Sequence, residues 1–120
     1  MLKLGAVKRV DRAIRSQLDP DERLQTSVLG YVMGRGDFAI GLTSQRLLWV
    51  GVTKLTGKPN GKVLSDPIVQ VRMGDPRFTH IPIIRPDGST LKVKVDRMWA
   101  ARLEPIVDRL NANSPMKPEG

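Results

Sequence analysis

Two periodicities meet at Asp19-Pro20, and that junction constrains the fold more than any other feature of this sequence. Ahead of it, Leu4, Val7, Val10, Ile14 and Leu18 recur at three- and four-residue spacing, which at 100° per residue places them on one stripe of a helix. Lys8, Arg9, Arg12 and Arg15 fall on the flank and far side. The spacing predicts one amphipathic helix over about residues 2–18, ended by a proline that disfavours the α conformation in the residue before it. After Pro20 the period drops from 3.6 to 2, so the rest of the chain begins as a run of strands.

The strands are short and punctuated. Thr26 to Met33, Phe38 to Leu42 and Arg46 to Val52 read as three of them, joined by the turn Gly34-Arg35-Gly36-Asp37 and the tight connection Thr43-Ser44-Gln45. Lys54 to Gly61 reads as a long polar loop because it holds Gly57, Pro59, Asn60 and Gly61. Lys62 to Leu64, Ile68 to Met73 and Phe78 to Ile84 are further short strands, with Pro82 confining the last to an edge or a bulge. Arg85-Pro86-Asp87-Gly88-Ser89 is a turn, in which proline presets φ and glycine accepts a positive one. Leu91 to Val95 alternates, with Lys92 and Lys94 on the solvent side. Asp96 is placed to cap a closing helix whose stripe is Trp99, Leu103, Ile106, Val107 and Leu110. Pro105 inside that stripe predicts a kink, or a helix that begins nearer Glu104. The expected fold class is α+β, mainly β. Residues 1–20 hold the basic amphipathic helix, residues 21–112 a β-rich domain closed by a helix, and residues 113–120 a disordered tail.

Composition narrows the chemistry. The chain has 120 residues, enough for one domain with its own core. It has no cysteine, so no disulfide framework and no cysteine-ligated zinc or iron–sulfur site exists. His80 is the sole histidine, which excludes a metal site built on several imidazoles. No apolar run approaches the roughly 20 residues of a transmembrane helix. Lys and Arg number 20 against 12 Asp and Glu, a formal charge of +8 that favours anionic partners. The excess is local. Residues 1–18 carry Lys3, Lys8, Arg9, Arg12 and Arg15 against Asp11, a net of +4, and residues 26–74 carry a further +4.

From about Asp21 to Leu110 the chain resembles the bacterial pleckstrin-homology-like (PH/GRAM-like) domain family. Asp21-Glu22-Arg23-Leu24 matches the acidic lead into the first strand. Gly41-Leu42-Thr43-Ser44-Gln45-Arg46-Leu47-Leu48-Trp49-Val50 is similar to the family's hallmark hairpin, "LT(N/S)xRL" followed by apolar residues. Ile68-Val69-Gln70-Val71 stands where such domains place a strand after a loop, and Trp99 to Leu110 where they place the capping helix. The resemblance implies a seven-stranded, bent antiparallel barrel or sandwich capped by the last helix. It implies a non-enzymatic binding or scaffolding module without a cofactor, with a protein or peptide partner, an anionic membrane surface or a second copy of the chain as ligand. It also implies a cytoplasmic location, peripheral at the inner face of the membrane where lipid is bound. The first hairpin loop here has one Arg beside one Asp, which argues against phosphoinositide recognition at that loop.

No catalytic constellation is visible, because His80 has no sequence neighbour suited to acid–base work, and no cofactor-binding motif is present. Two basic groups are the candidates for contact with an anionic surface. Lys8, Arg12 and Arg15 lie on the helix, which could either lie on acidic lipid or pack on the domain with its basic face in water. Lys54, Lys58 and Lys62 recur every four residues in the Gly/Pro-rich loop. Nucleic acid is the alternative partner that the charge suggests, but the aromatics are few and no basic–aromatic signature accompanies them.

Overall fold

The computed structural model describes residues 3–77 and 80–113. Of the expected tail of residues 113–120, Asn113 is instead the last residue of the closing helix, and the rest, like Phe78 and Thr79, lies outside the described residues. Helix α1 (Leu4–Arg15) leads into strands β1 (Leu24–Val32), β2 (Gly36–Thr43), β3 (Arg46–Val52) and β4 (Pro59–Pro67). After a 3-10 turn at Ile68–Gln70 come β5 (Arg72–Met73), β6 (Ile81–Ile84) and β7 (Thr90–Lys94), and a second 3-10 turn at Arg97–Trp99 runs into helix α2 (Ala100–Asn113). The seven strands form one antiparallel sheet in the order β4-β3-β2-β1-β7-β6-β5.

Strand β1 is the hinge of this order. It pairs along its whole length with β2, but with β7 only at Tyr31↔Lys94 and Val32↔Val93. The sheet therefore splays, and α2 fills the space between its two halves. Val28, Ile40, Ile83, Val93, Ile106 and Leu110 meet there and are buried. Trp49 and Trp99 are core residues, and the Phe38 ring meets Trp49 edge-on at 6.4 Å.

Strands β2 and β3 are buried almost continuously rather than on alternate residues. That pattern needs a cover on each face of the sheet. Helix α1 is the second cover. Its Val10, Ala13 and Ile14 are buried, and Ile14 sits over Gly41 so closely that a Cβ there would stand 2.6 Å from an Ile14 methyl. Glycine at position 41 is what lets the helix approach. Of the two placements open to the amphipathic helix, packing on the domain is the one observed.

Other expectations shift in detail. Pro59, Asn60 and Gly61 belong to β4, where a bulge opposite Val50/Val52 absorbs Gly61 at φ +93. Ile68 to Gln70 forms a 3-10 turn instead of strand. Its Ile68 N–H donates to the Gln45 carbonyl and the Val71 N–H to the Ile68 carbonyl, so the segment bends before β5 can start. His80 precedes β6 rather than lying in it. Pro82 pairs with Lys92 inside β6, and its carbonyl accepts from the Gly74 N–H, the side on which β5 has already ended. Helix α2 begins at Ala100, ahead of Glu104, and carries Pro105 within it, while Asp96 takes the capping position of the preceding 3-10 turn without a side-chain bond. At its far end Asn113 donates from its amide to the carbonyls of Ile68 and Val71 at 2.6 and 2.8 Å, fixing α2 to the 3-10 turn before β5.

Candidate functional site

The charged residues divide by environment. One group is spent inside the fold. The Glu22 carboxylate, whose side chain is wholly buried, accepts from Thr43 Oγ1 at 2.8 Å, from Arg46 Nε and Nη2 at 2.8 and 2.7 Å, and from the Asp19 N–H at 3.1 Å. The bidentate bond from Arg46 is the main reason that its pKa falls from 4.5 to about 2, with Thr43 and the Asp19 N–H adding to it against the cost of burial. Thr43 Oγ1 also accepts the N–H groups of Gln45 and Arg46, closing the tight β2–β3 turn. The Asp21–Leu24 lead and the β2–β3 hairpin, separate in sequence, thus form one structural node.

Two further ion pairs are also structural. Arg85 grips Asp66 through Nε at 2.8 Å and Nη2 at 3.1 Å, tying the end of β4 to the β6–β7 turn. Asp66 precedes a proline as simple turn chemistry would have it, yet it is buried and paired across 19 residues. Arg102 of α2 reaches Asp11 of α1 at 3.1 Å and donates to the Ser27 carbonyl and hydroxyl at 2.9 and 3.1 Å, while the Ser27 hydroxyl bonds Asp11. The two helices are therefore clamped through β1. Periodicity carries no signal for these long-range pairs.

The other group faces solvent. Lys8, Arg12 and Arg15 are exposed on the side of α1 opposite the Val10–Ala13–Ile14 stripe and take no part in the ion pairs among the described residues. Arg9 lies between this face and the β3–β4 loop. Its aliphatic stem runs beside Gly57, where an added Cβ would stand 3.4 Å from the Arg9 Cδ. Gly57, at φ +68, makes the turn that brings the loop to the helix, and its N–H donates to the Thr53 carbonyl at 2.8 Å.

Arg9, Lys54, Leu55 and Gly57 consequently line one open groove of about 230 Å³, floored by Val10, Leu29 and Val52. Leu55 stands on its lip at 97% exposure, the most exposed large apolar side chain described. The structure thus joins Arg9, on the flank of the helix, to Lys54, while the helix candidates Lys8, Arg12 and Arg15 do not line the groove. It does not keep the lysine trio together. Lys58 is exposed at the loop's end. Lys62 lies on edge strand β4, its Cβ close to Gly51 and its side chain in a hollow with Arg35 and Phe38, on the face of the sheet away from α1. A lysine on an edge strand also discourages pairing with another chain.

Among the described residues no three His, Asp or Glu side chains converge on a point where a metal could sit, and no helix is long and apolar enough to cross a membrane. No protein-family model, no curated protein and no solved structure matches this chain.

Proposed function

We propose that this chain is a PH-like, non-enzymatic binding module that docks on an anionic membrane surface through the solvent face of α1 and the β3–β4 loop. The PH-like reading is supported by the strand order, by the splayed seven-stranded sheet with α2 in its opening, and by the Glu22–Thr43–Arg46 node that joins the two motifs carrying the resemblance. One observation carries the docking reading. The Arg9 stem against Gly57 holds the loop, with Lys54 and the bare Leu55, at the flank of α1, where Arg9 adds its charge to the exposed face that carries Lys8, Arg12 and Arg15.

Each part has a physical role. Lys8, Arg9, Arg12, Arg15 and Lys54 supply attraction of about 1 kcal/mol apiece near an acidic lipid surface, and salt weakens it. Leu55, which no described residue covers, is the group able to enter the acyl boundary. The apolar stripe of α1 stays on the sheet, so attachment does not require the helix to leave the domain.

Co-sedimentation with phosphatidylserine or phosphatidylglycerol vesicles across a salt series tests this. Binding at low salt that falls steeply as salt rises, and is absent for phosphatidylcholine alone, is the expected result. No sedimentation with acidic vesicles at the lowest salt would overturn it, and DNA or RNA binding in that case would move the protein to the nucleic-acid class.

A further inference from the structure

The groove between α1 and the β3–β4 loop has properties that surface attachment does not use. Its floor is apolar, made by Val10 and Val52, which are buried, and by the half-buried Ala6 and Leu29. Its volume of about 230 Å³ is several times that of one water and below the roughly 300–1,000 Å³ of sites for drug-sized molecules. Water on such a floor finds few partners, so an alkyl chain that displaces it gains the apolar contact at little polar cost. The mouth is charged unevenly. Arg9 and Lys54 stand there against one carboxylate, Asp37. A slender apolar cavity with a net cationic mouth is complementary to a molecule with one chain and one negative head.

We infer that this groove is a binding site for a single-chain anionic amphiphile, an alkyl carboxylate whose chain lies along Ala6, Leu29 and Val52 and whose head meets Arg9 and Lys54. The site shares those two cations with the docking surface but requires no bilayer. Leu55 closes over the chain from the lip, which gives this exposed side chain an apolar partner in the monomeric ligand complex. Gly57 sets the width of the groove, because its close approach to Arg9 holds the loop at this distance from α1.

Titration with sodium decanoate below its micellar concentration, followed by amide NMR, tests the site. Saturable binding with shifts centred on Leu29, Val52 and Gly57 is expected, together with at least about tenfold weaker binding of decyltrimethylammonium, whose chain is equal and charge opposite. Ala6→Phe fills the groove from the half-buried side of the helix and should abolish the shifts. Arg9→Gln with Lys54→Gln leaves the floor intact and should weaken decanoate about fivefold. Shifts that fail to saturate, equal binding of the two amphiphiles, or undiminished binding by the Arg9→Gln/Lys54→Gln variant would each overturn the assignment, whether or not Ala6→Phe folds. Vesicle binding is measured on the same samples. Retained vesicle binding without decanoate binding defeats the groove alone, and the reverse pattern defeats the membrane reading alone.

Discussion

Glu22 and Arg46 lock two stretches of chain together from inside the fold, whereas Lys8, Arg12 and Arg15 stand on α1 outside the ion pairs formed among the described residues. In the first set, the Glu22 carboxylate is removed from water and satisfied at both its oxygens, with Arg46 reaching it from a partly exposed position. The second is hydrated, and the domain's own packing makes no use of it. Burial decides the difference. A charge taken out of water must be paired where it sits, so its loss is felt as stability. A charge left in water contributes little to the fold and remains available to a partner. Glu22 and Arg46, one from each of the two motifs quoted for the resemblance, belong to the first class, and the charge surplus belongs largely to the second.

The sharpest way to break this contrast is Glu22→Ala. It strands Arg46 and Thr43 without their acceptor, and we expect a loss of about 3 kcal/mol in urea or thermal unfolding, the low end for a broken buried pair because Arg46 is partly exposed. The same node predicts an acid signature. The folded pKa of Glu22 is about 2 against 4.5 for the free group, so its contribution is whole above about pH 4.5 and disappears as pH falls through 2. Unfolding measured from pH 5 to pH 2 should show the wild type converging on Glu22→Ala. A gap that stays constant over that range would show that the carboxylate's charge is not what the node uses.

On the other side of the comparison, Lys8→Gln, Arg12→Gln and Arg15→Gln together should cost about 3 kcal/mol in binding to acidic vesicles at low salt. Stability should stay within about 0.5 kcal/mol of the wild type, since surface changes away from special features rarely exceed that. A large loss of stability in this triple variant would mean that the basic face is structural after all, and the contrast would collapse. Gly41→Ala sharpens it from the opposite face of the same helix. The added methyl meets Ile14 at 2.6 Å, and Ile14 is fully buried and stiff at its branch, so α1 must lift. Overpacking of this kind costs about 2 kcal/mol, read as a drop in unfolding midpoint with the basic face unaltered.

What could be read in the sequence tracks the range of the interaction. Of the stripe Leu4, Val7, Val10, Ile14 and Leu18, Val10 and Ile14 are buried and Val7 and Leu18 half-buried, while Leu4 is exposed and the helix stops at Arg15, before Leu18; the turns at Gly34–Gly36 and Arg85–Ser89 are local patterns that the structure has, and Trp49 and Trp99 are core. The near-continuous apolar runs of β2 and β3 were equally visible, but what covers their second face is a helix more than 20 residues earlier, which no window of sequence reports. Glu22–Arg46, Asp66–Arg85 and Asp11–Arg102 are likewise pairs set by topology. Asn60-Gly61 misled in the other direction, since a glycine that serves a loop also serves a bulge. The candidate surface was half legible. Its helix residues follow from the period, while the junction of Arg9 with Gly57 depends on where the loop folds back.

The smallest predicted effect separates two lysines that spacing alone cannot tell apart. Lys54 and Lys62 are both exposed and lie eight residues apart, but the strand that starts at Pro59 carries Lys62 to the face away from α1. A planar lipid surface against the helix and loop reaches Lys54 and not Lys62. Lys54→Gln should therefore weaken vesicle binding by about 1 kcal/mol, and Lys62→Gln by much less. Neither should move the unfolding midpoint appreciably, because neither belongs to the ion pairs among the described residues. The difference between the two variants, measured in one salt and one lipid mixture, cancels the change in net charge that they share. An equal loss in both would mean that total charge governs attachment, and the surface would then have no orientation on the membrane. A loss confined to Lys54→Gln places the loop tip, and with it Leu55, at the lipid.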